Sequence, residues 1–395
     1  MKILYISYDG MLEPLGQSQV VAYQEQLSSN FTIFLVSFEK KEDLLDKASL
    51  QAMKMKMHKA GITWIPLVYH KKLSVLSTSI DIARGILTGW RLIASHKIDV
   101  IHARSYVPGV MALILKIFLR KKFLFDMRGL WPDERVDGGL WKKNSYLYHI
   151  AKWFEKILLL HADHVISLTY AGIREIEKFP YLRQHAVKFT VIPTCVDLDK
   201  FYYSDDQNDC FTLGYVGSVG VWYEFDAVLE AFQFLVSIQL NAKLLIINRN
   251  EHVFLKEKIT AAGFQQSQYE IISTHYAQVP QMMSRMNAGI FFIKPLFSKQ
   301  ASAPTKLGEF LACGIPCLAN QGVGDMAAVL EESNVGIAVS DFSFHSLKVG
   351  VEQLITLSED SNIALRCRAA AIKNFSLEAG VKSYSDVYES LREST

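Results

Sequence analysis

Metal-binding and covalent scaffolding are scarce in this chain. Five cysteines in 395 residues, Cys195, Cys210, Cys313, Cys317 and Cys367, show no paired zinc-ligand spacing, which excludes a zinc-knuckle domain and fits free thiols in a reducing compartment. No uninterrupted apolar run reaches the span of a bilayer, and the opening Met1-Lys2-Ile3-Leu4-Tyr5-Ile6-Ser7 is a strand too short for a signal peptide. The expected location is therefore the cytoplasm. There is no Gly-x-Ser-x-Gly elbow and no Ser-His-Asp order to support a hydrolase. The Asp-x-Asp at Asp197-Leu198-Asp199 follows a domain join, where surface carboxylates are ordinary, so no metal site is expected. Internal repeats and low-complexity tracts are also lacking.

Net charge is small, at +2, but it is unevenly spread. Residues 1–200 hold 28 Lys and Arg against 19 Asp and Glu, and the remainder 14 against 21. A basic front half suits an anionic partner, for which membrane headgroups, a lipid diphosphate or nucleic acid all qualify. The length suggests two domains.

Short apolar strand candidates alternate with helical segments, at 3–7, 31–37, 62–67, 100–103, 123–126, 164–167 and 189–192. A second series follows the polar segment 205–209, at 211–216, 243–247, 269–272, 289–293, 316–319 and 336–339. This alternation predicts two α/β doubly wound domains with parallel sheets, 1–198 and 199–375, with a last helix in 376–395 packing back onto the first. In such sheets ligands bind beyond the carboxyl ends of the strands.

The most informative stretch is Ser302-Ala303-Pro304-Thr305-Lys306-Leu307-Gly308-Glu309, running on to Gly314-Ile315-Pro316. It reads as loop, helix start and helix stop after a strand, with Pro304 expected in the first turn. Free N–H groups and Lys306 there can hold an anion, and Glu309 shares nearly the same face. The spacing alone equally describes an ordinary helix with solvated Lys and Glu. The segment resembles the donor-binding helix of retaining glycosyltransferases of family 4. That resemblance implies a GT-B fold, two Rossmann-like domains facing across a cleft, with Ser302, Thr305, Lys306 and Leu307 at the nucleotide diphosphate and Glu309 on the ribose.

Other loops fit the same resemblance. Gly16, before a helix expected to begin near Ser18, matches the loop that similar enzymes place against the donor diphosphate. The loops after the fourth and fifth strands offer His102, Arg104, Asp126 and Arg128, and the Asp126-Met127-Arg128-Gly129-Leu130-Trp131-Pro132 order puts Arg128 at the catalytic-pocket position with Asp126 beside it. Gly217 and Ser218 open a Gly-rich turn in Gly214-Tyr215-Val216-Gly217-Ser218-Val219-Gly220-Val221-Trp222-Tyr223. Many relatives carry an Arg and a Lys there; here the charge falls to Lys306, the helix starts and Arg249. A second departure is Ala301, eight positions before Glu309, where typical members carry a Glu that contacts the transferred sugar.

The resemblance implies transfer from a UDP-, GDP- or similar nucleotide sugar to a glycan or lipid-linked glycan acceptor, with retention, without metal or other cofactor and with no nucleic-acid partner. A sugar-nucleotide epimerase and a non-catalytic partner subunit stay open as alternatives. The segment 141–158 reads as an amphipathic helix with Leu147, Ile150 or Ala151, Phe154 and Leu158 toward the sheet and Lys152 and Lys156 outward. With Arg120-Lys121-Lys122, it offers a basic surface for peripheral contact with an anionic membrane on its inner face.

Overall fold

The computed structural model describes residues 1–70, 74–203 and 210–393. The polar segment 205–209 that the sequence places before the second series lies outside them. The chain divides into two units, Met1–Pro193 with Leu377–Thr395, and Thr194–Ser376. The division falls five residues before the expected 198/199, because Val196 already pairs in the second unit, its N–H donating to Phe375 O at 2.7 Å.

Every expected strand forms. The first unit holds β1 (Lys2–Ser7), β2 (Thr32–Glu39), β3 (Thr63–Val68), β4 (Val100–Arg104), β5 (Lys122–Asp126), β6 (His164–Ser167) and β7 (Phe189–Val191), in the order β3-β2-β1-β4-β5-β6-β7. The second holds β8 (Thr212–Val216), β9 (Lys243–Ile247), β10 (Tyr269–Ile272), β11 (Ala288–Ile290), β12 (Cys317–Asn320) and β13 (Gly336–Val339), ordered β10-β9-β8-β11-β12-β13. Neighbouring strands pair in parallel throughout. Helices on both faces explain why β1, β8 and β9 are near-continuous apolar runs rather than alternating ones. In each sheet the order reverses once, between β1 and β4 and between β8 and β11, and the loops leaving these strands converge there.

Register in the first unit aligns Ser7, Arg104 and Asp126 across β1, β4 and β5. The C-terminal helix, Leu377–Glu393, lies against this row. Tyr384 OH donates to Asp126 Oδ2 at 2.9 Å, and Tyr388 OH shares a 2.7 Å hydrogen bond with His102 Nδ1.

Helix Tyr146–His161 is turned from its expected orientation. Tyr148, Ala151, Glu155, Leu158 and Leu159 are buried, whereas Leu147 and Ile150 are exposed. A polar network causes the rotation: Tyr106 OH donates to Glu155 at 2.7 Å, Tyr148 OH to Asp133 at 2.8 Å, and Lys152 bridges Asp133 and Glu155. Satisfying those buried groups outweighs burying two more aliphatic side chains.

Replacing Tyr384 by Phe removes the 2.9 Å hydrogen bond to Asp126 Oδ2 while keeping the ring, and leaves His102 Nε2 and Arg104 Nη1 farther off at 3.7 Å. Urea denaturation is expected to show a loss of about 1–3 kcal/mol, the cost of stranding a buried charged acceptor; an unchanged midpoint would deny the helix its anchoring role.

Candidate active site

The second unit assembles a cation pocket where its strand order reverses. Because β8 and β11 are neighbours, the turn leaving β8 meets the helix Thr305–Ala312 that follows β11. Gly217 in that turn has φ +99°, and a Cβ on it would stand 3.0 Å from Lys306 Cε. The left-handed conformation and the missing side chain are thus both needed. Asn248, just past β9, pins the turn: its Nδ2 donates to Gly217 O at 3.0 Å and to Glu251 Oε2 at 2.8 Å, and the same carboxylate oxygen accepts from Val219 N at 3.0 Å.

Lys306 is buried, and its Nζ lies over two aromatic rings, 3.7 Å from the centroid of Tyr223 and 4.5 Å from that of Tyr215. Its hydrogen bonds to Tyr215 OH (3.4 Å) and Ser218 O (3.5 Å) are long. Among the described residues no carboxylate makes an ion pair with it. Burial pushes its pKa down to about 7, against the opposing pull of Glu309 and Glu251. The ring faces also favour the charged form. An ammonium desolvated without a counter-ion is a site prepared for an incoming anion.

The helix start adds to that. Pro304 precedes the helix rather than occupying its first turn: its φ of −68° is paired with an extended ψ of 126°, and Thr305 is the first helical residue. No side chain caps this end; the Leu307 N–H donates to Pro304 O, and the earlier N–H groups of Thr305 and Lys306 together with the helix dipole can face an anion. Glu309, one turn along, is buried, and burial raises its pKa to about 7 while Tyr276 OH, donating at 3.1 Å, and Lys306 oppose the shift. Its Oε1 takes that bond, and Oε2 is left for a hydroxyl pair. The solvated Lys and Glu of an ordinary helix are therefore not what this helix carries.

The remaining second-unit candidates separate. Ser302 and Thr305 stand half-buried at the helix start, and Ser218 is exposed in the turn. The Leu307 side chain belongs to the hydrophobic core, and its N–H donates to Pro304 O at 3.3 Å, so it offers a ligand no free side-chain group. Arg249 is exposed past β9. Ala301 is buried. Tyr215, Tyr223, Tyr276, Asn248 and Glu251 were not singled out from sequence; Asn248 and Glu251 directly after a strand carried the one available signal.

In the first unit, His102, Arg104 and Asp126 are buried beneath the C-terminal helix rather than presented by open loops. Burial works against the Asp126 carboxylate, yet Arg128, His102 and Arg104 hold its pKa down at about 2. Asp126 thus organises the charged groups around it, with its Oδ1 buried and without a hydrogen-bond partner among the described residues. Arg128 has φ +60°, a strained value for a side chain of its size, and keeps its guanidinium near Asp126 with Nη1 4.0 Å from Oδ1. Gly16 is not in a loop: the helical stretch begins at Pro14, and a Cβ on Gly16 would lie 2.0 Å from Gly10 O. The missing side chain is needed for this contact of the chain with itself. Among the described residues no group of three or more His, Cys, Asp or Glu is placed to hold a metal ion.

Comparison with known proteins agrees with this architecture. The family model described as Glycosyltransferase Family 4 matches residues 37–200, and that described as Glycosyl transferases group 1 matches residues 204–374. Similar solved structures include a sucrose-phosphate synthase from Thermosynechococcus elongatus (14% identity, TM-score 0.74, all of both chains) and a glycosyltransferase from Rickettsia africae (14%, 0.73, 100% of this chain and 99% of that one). A third is Anabaena HepE in complex with UDP and glucose (16%, 0.70, 99% of this chain and 100% of that one). No curated protein matches the chain. Two parallel α/β units of this order define the GT-B class of glycosyltransferase. Within it, the chain belongs to the family 4-like glycosyltransferases.

Lys306→Met tests the cost of the pocket. The folded pKa of Lys306 lies below its ordinary value, so the unfolded chain binds that proton more tightly; the penalty is full below pH 7 and disappears above about pH 10.5. The variant is expected to be more stable than the parent at pH 6–7, by at least about 1 kcal/mol or roughly 2–4 °C, with the gain shrinking toward pH 10 in thermal melts. A less stable variant at pH 6 would show that the charge is already satisfied.

Proposed function

We propose that this enzyme transfers a sugar from a nucleoside diphosphate sugar to an acceptor hydroxyl with retention at the anomeric carbon. Uncompensated burial of the Lys306 ammonium beside an uncapped helix start carries this reading. The diphosphate supplies the missing counter-charge, and Glu309 accepts hydrogen bonds from the ribose diol. HepE, solved with UDP-glucose, makes uridine the first base to test.

In the reaction, the bond from the anomeric carbon to the β-phosphate oxygen breaks as the acceptor oxygen bonds to that carbon on the same face. The acceptor proton passes to the departing phosphate oxygen. Lys306 and the helix N–H groups stabilise the charge that grows there, with Arg128 on the acceptor side, held by Asp126 from below. Arg249, Ser302, Thr305 and Ser218 complete the donor contacts, without a metal. The basic first unit suits a lipid-linked glycan in bacterial envelope polysaccharide synthesis, reached from the cytoplasm by peripheral attachment to the membrane. Transfer to such an acceptor distinguishes this reading from epimerisation, which would give a new sugar nucleotide with no acceptor present.

Calorimetric titration with UDP, GDP and ADP provides the test. UDP is expected to bind, with affinity reduced about tenfold or more by Glu309→Gln and by Lys306→Met, a loss of about 1.4 kcal/mol each. Lys306 must be protonated to hold the diphosphate, so binding takes up a proton above its free pKa of about 7. The UDP dissociation constant is therefore expected to rise as pH goes from 7 to 9 in the parent and to show no such rise in Lys306→Met, where the ionisation of Glu309 is what remains. Equal affinities in parent and variants for all three nucleotides would end this assignment.

A further inference from the structure

Helices Ser74–His96, Tyr106–Leu119 and Tyr146–His161 form one layer of the first unit, the middle one touching both others. Their solvent side is where polar residues belong, yet it is apolar. On the first helix Leu76, Ile80, Leu87 and Trp90 are exposed, and the end of the second adds Ile117 and Phe118, with exposures from 41% (Trp90) to 67% (Phe118). Offsets of 4, 11 and 14 residues from Leu76 fall within an arc of about 80° and extend for about 21 Å, so the four make one straight ridge. Trp90 and Phe118 join the helices, their ring centroids 6.3 Å apart. The third helix repeats the pattern with Tyr146, Ile150 and Trp153 exposed at offsets of 4 and 7.

The charge around this face is mainly basic. From Leu76 to Lys122 there are eight Lys and Arg against two Asp; Arg104 is buried beneath the C-terminal helix and Lys116 pairs with Asp163, which leaves six, and of the two Asp, Asp81 is fully buried. Arg91 and Arg120 are exposed beside the ridge, and Lys142, Lys143 and Lys156 flank the third helix. Among the described residues, no helix is long and apolar enough to cross a membrane.

We propose that this face docks on an anionic lipid bilayer, the aliphatic and aromatic ridges entering the headgroup boundary while the basic rim pairs with lipid phosphates. A convex ridge with tryptophan near a cationic edge suits a fluid interface. A second copy is the poorer occupant, since two-fold pairing would set like-charged rims against each other. The assignment deepens the reading of a lipid-linked acceptor by identifying the surface that brings the enzyme to it, and it is measured without any reaction.

Co-sedimentation with vesicles of equal parts phosphatidylcholine and phosphatidylglycerol, against phosphatidylcholine alone, provides the test. The parent is expected to bind the mixed vesicles, to bind the neutral ones at least tenfold less, and to be released by high salt. The double variant Leu87→Glu/Trp90→Glu and, separately, Phe118→Glu are expected to lose at least tenfold in partitioning while keeping the parent's thermal midpoint and UDP affinity. Both positions are exposed, so a variant that melts early is replaced by Ile80→Glu at the other end of the ridge, with the same expectation. A parent that stays in the supernatant, or folded variants that bind within twofold of it, would overturn the proposal. So would a dimer of the parent in sedimentation velocity that the variants split while vesicle binding is unchanged. Vesicle binding without UDP binding would uphold the docking surface and reject the donor reading.

Discussion

A buried ammonium without a carboxylate partner is the constraint around which the second unit is arranged. Lys306 reaches Tyr215 and Tyr223 only because β8 and β11 pair directly, so that the turn after one strand and the helix after the other share an edge. Gly217 must lack a side chain to let the lysine pass, and Asn248 with Glu251 must hold the turn in its left-handed conformation. The buried charge opposes stability, and the hydrogen bonds of Asn248 and Glu251 offset part of that cost by holding the turn, a division common at functional sites. Glu309 follows the same logic with the opposite sign, since burial makes its charged form costly until hydrogen-bond donors arrive.

The first unit keeps its charges differently. Asp126, Arg104 and His102 are buried, and the C-terminal helix covers them through Tyr384 and Tyr388, segments more than 250 residues distant in sequence. The carboxylate is stabilised by surrounding cations, although its Oδ1 makes no hydrogen bond among the described residues. What remains available for chemistry there is Arg128, held in a strained backbone conformation above it. The outer helix layer of the same unit inverts the usual rule, with apolar side chains outward and the polar network of Glu155, Lys152 and Asp133 inward.

Strands were the most legible part of the chain, because a parallel strand covered on both faces must be apolar at nearly every position and so appears as a short uninterrupted run. The Thr305–Ala312 helix was legible from its Pro before and Gly after. Helix orientation was less so: Leu147 and Ile150 look core-facing by periodicity, and only the demand of Glu155 and Tyr106 for partners, supplied by other elements, turns them outward. Gly16 misled for a similar reason. A glycine near a helix start permits approach by an anion or by the protein itself, and the carbonyl of Gly10 occupies that space.

Residue order alone therefore determined the strand and helix series, the existence of two units with a boundary within five residues of the observed one, and the placing of Lys306 and Glu309 on one helical face, since these follow from local periodicity and backbone chemistry. Tertiary structure decided that Lys306 lies over aromatic rings with, among the described residues, no carboxylate in ion-pair contact, that Asp126 lies beneath a helix, and that a ridge of Leu, Ile, Trp and Phe faces solvent. Burial and electrostatic environment are properties of side chains brought together from distant segments, and no local pattern encodes them.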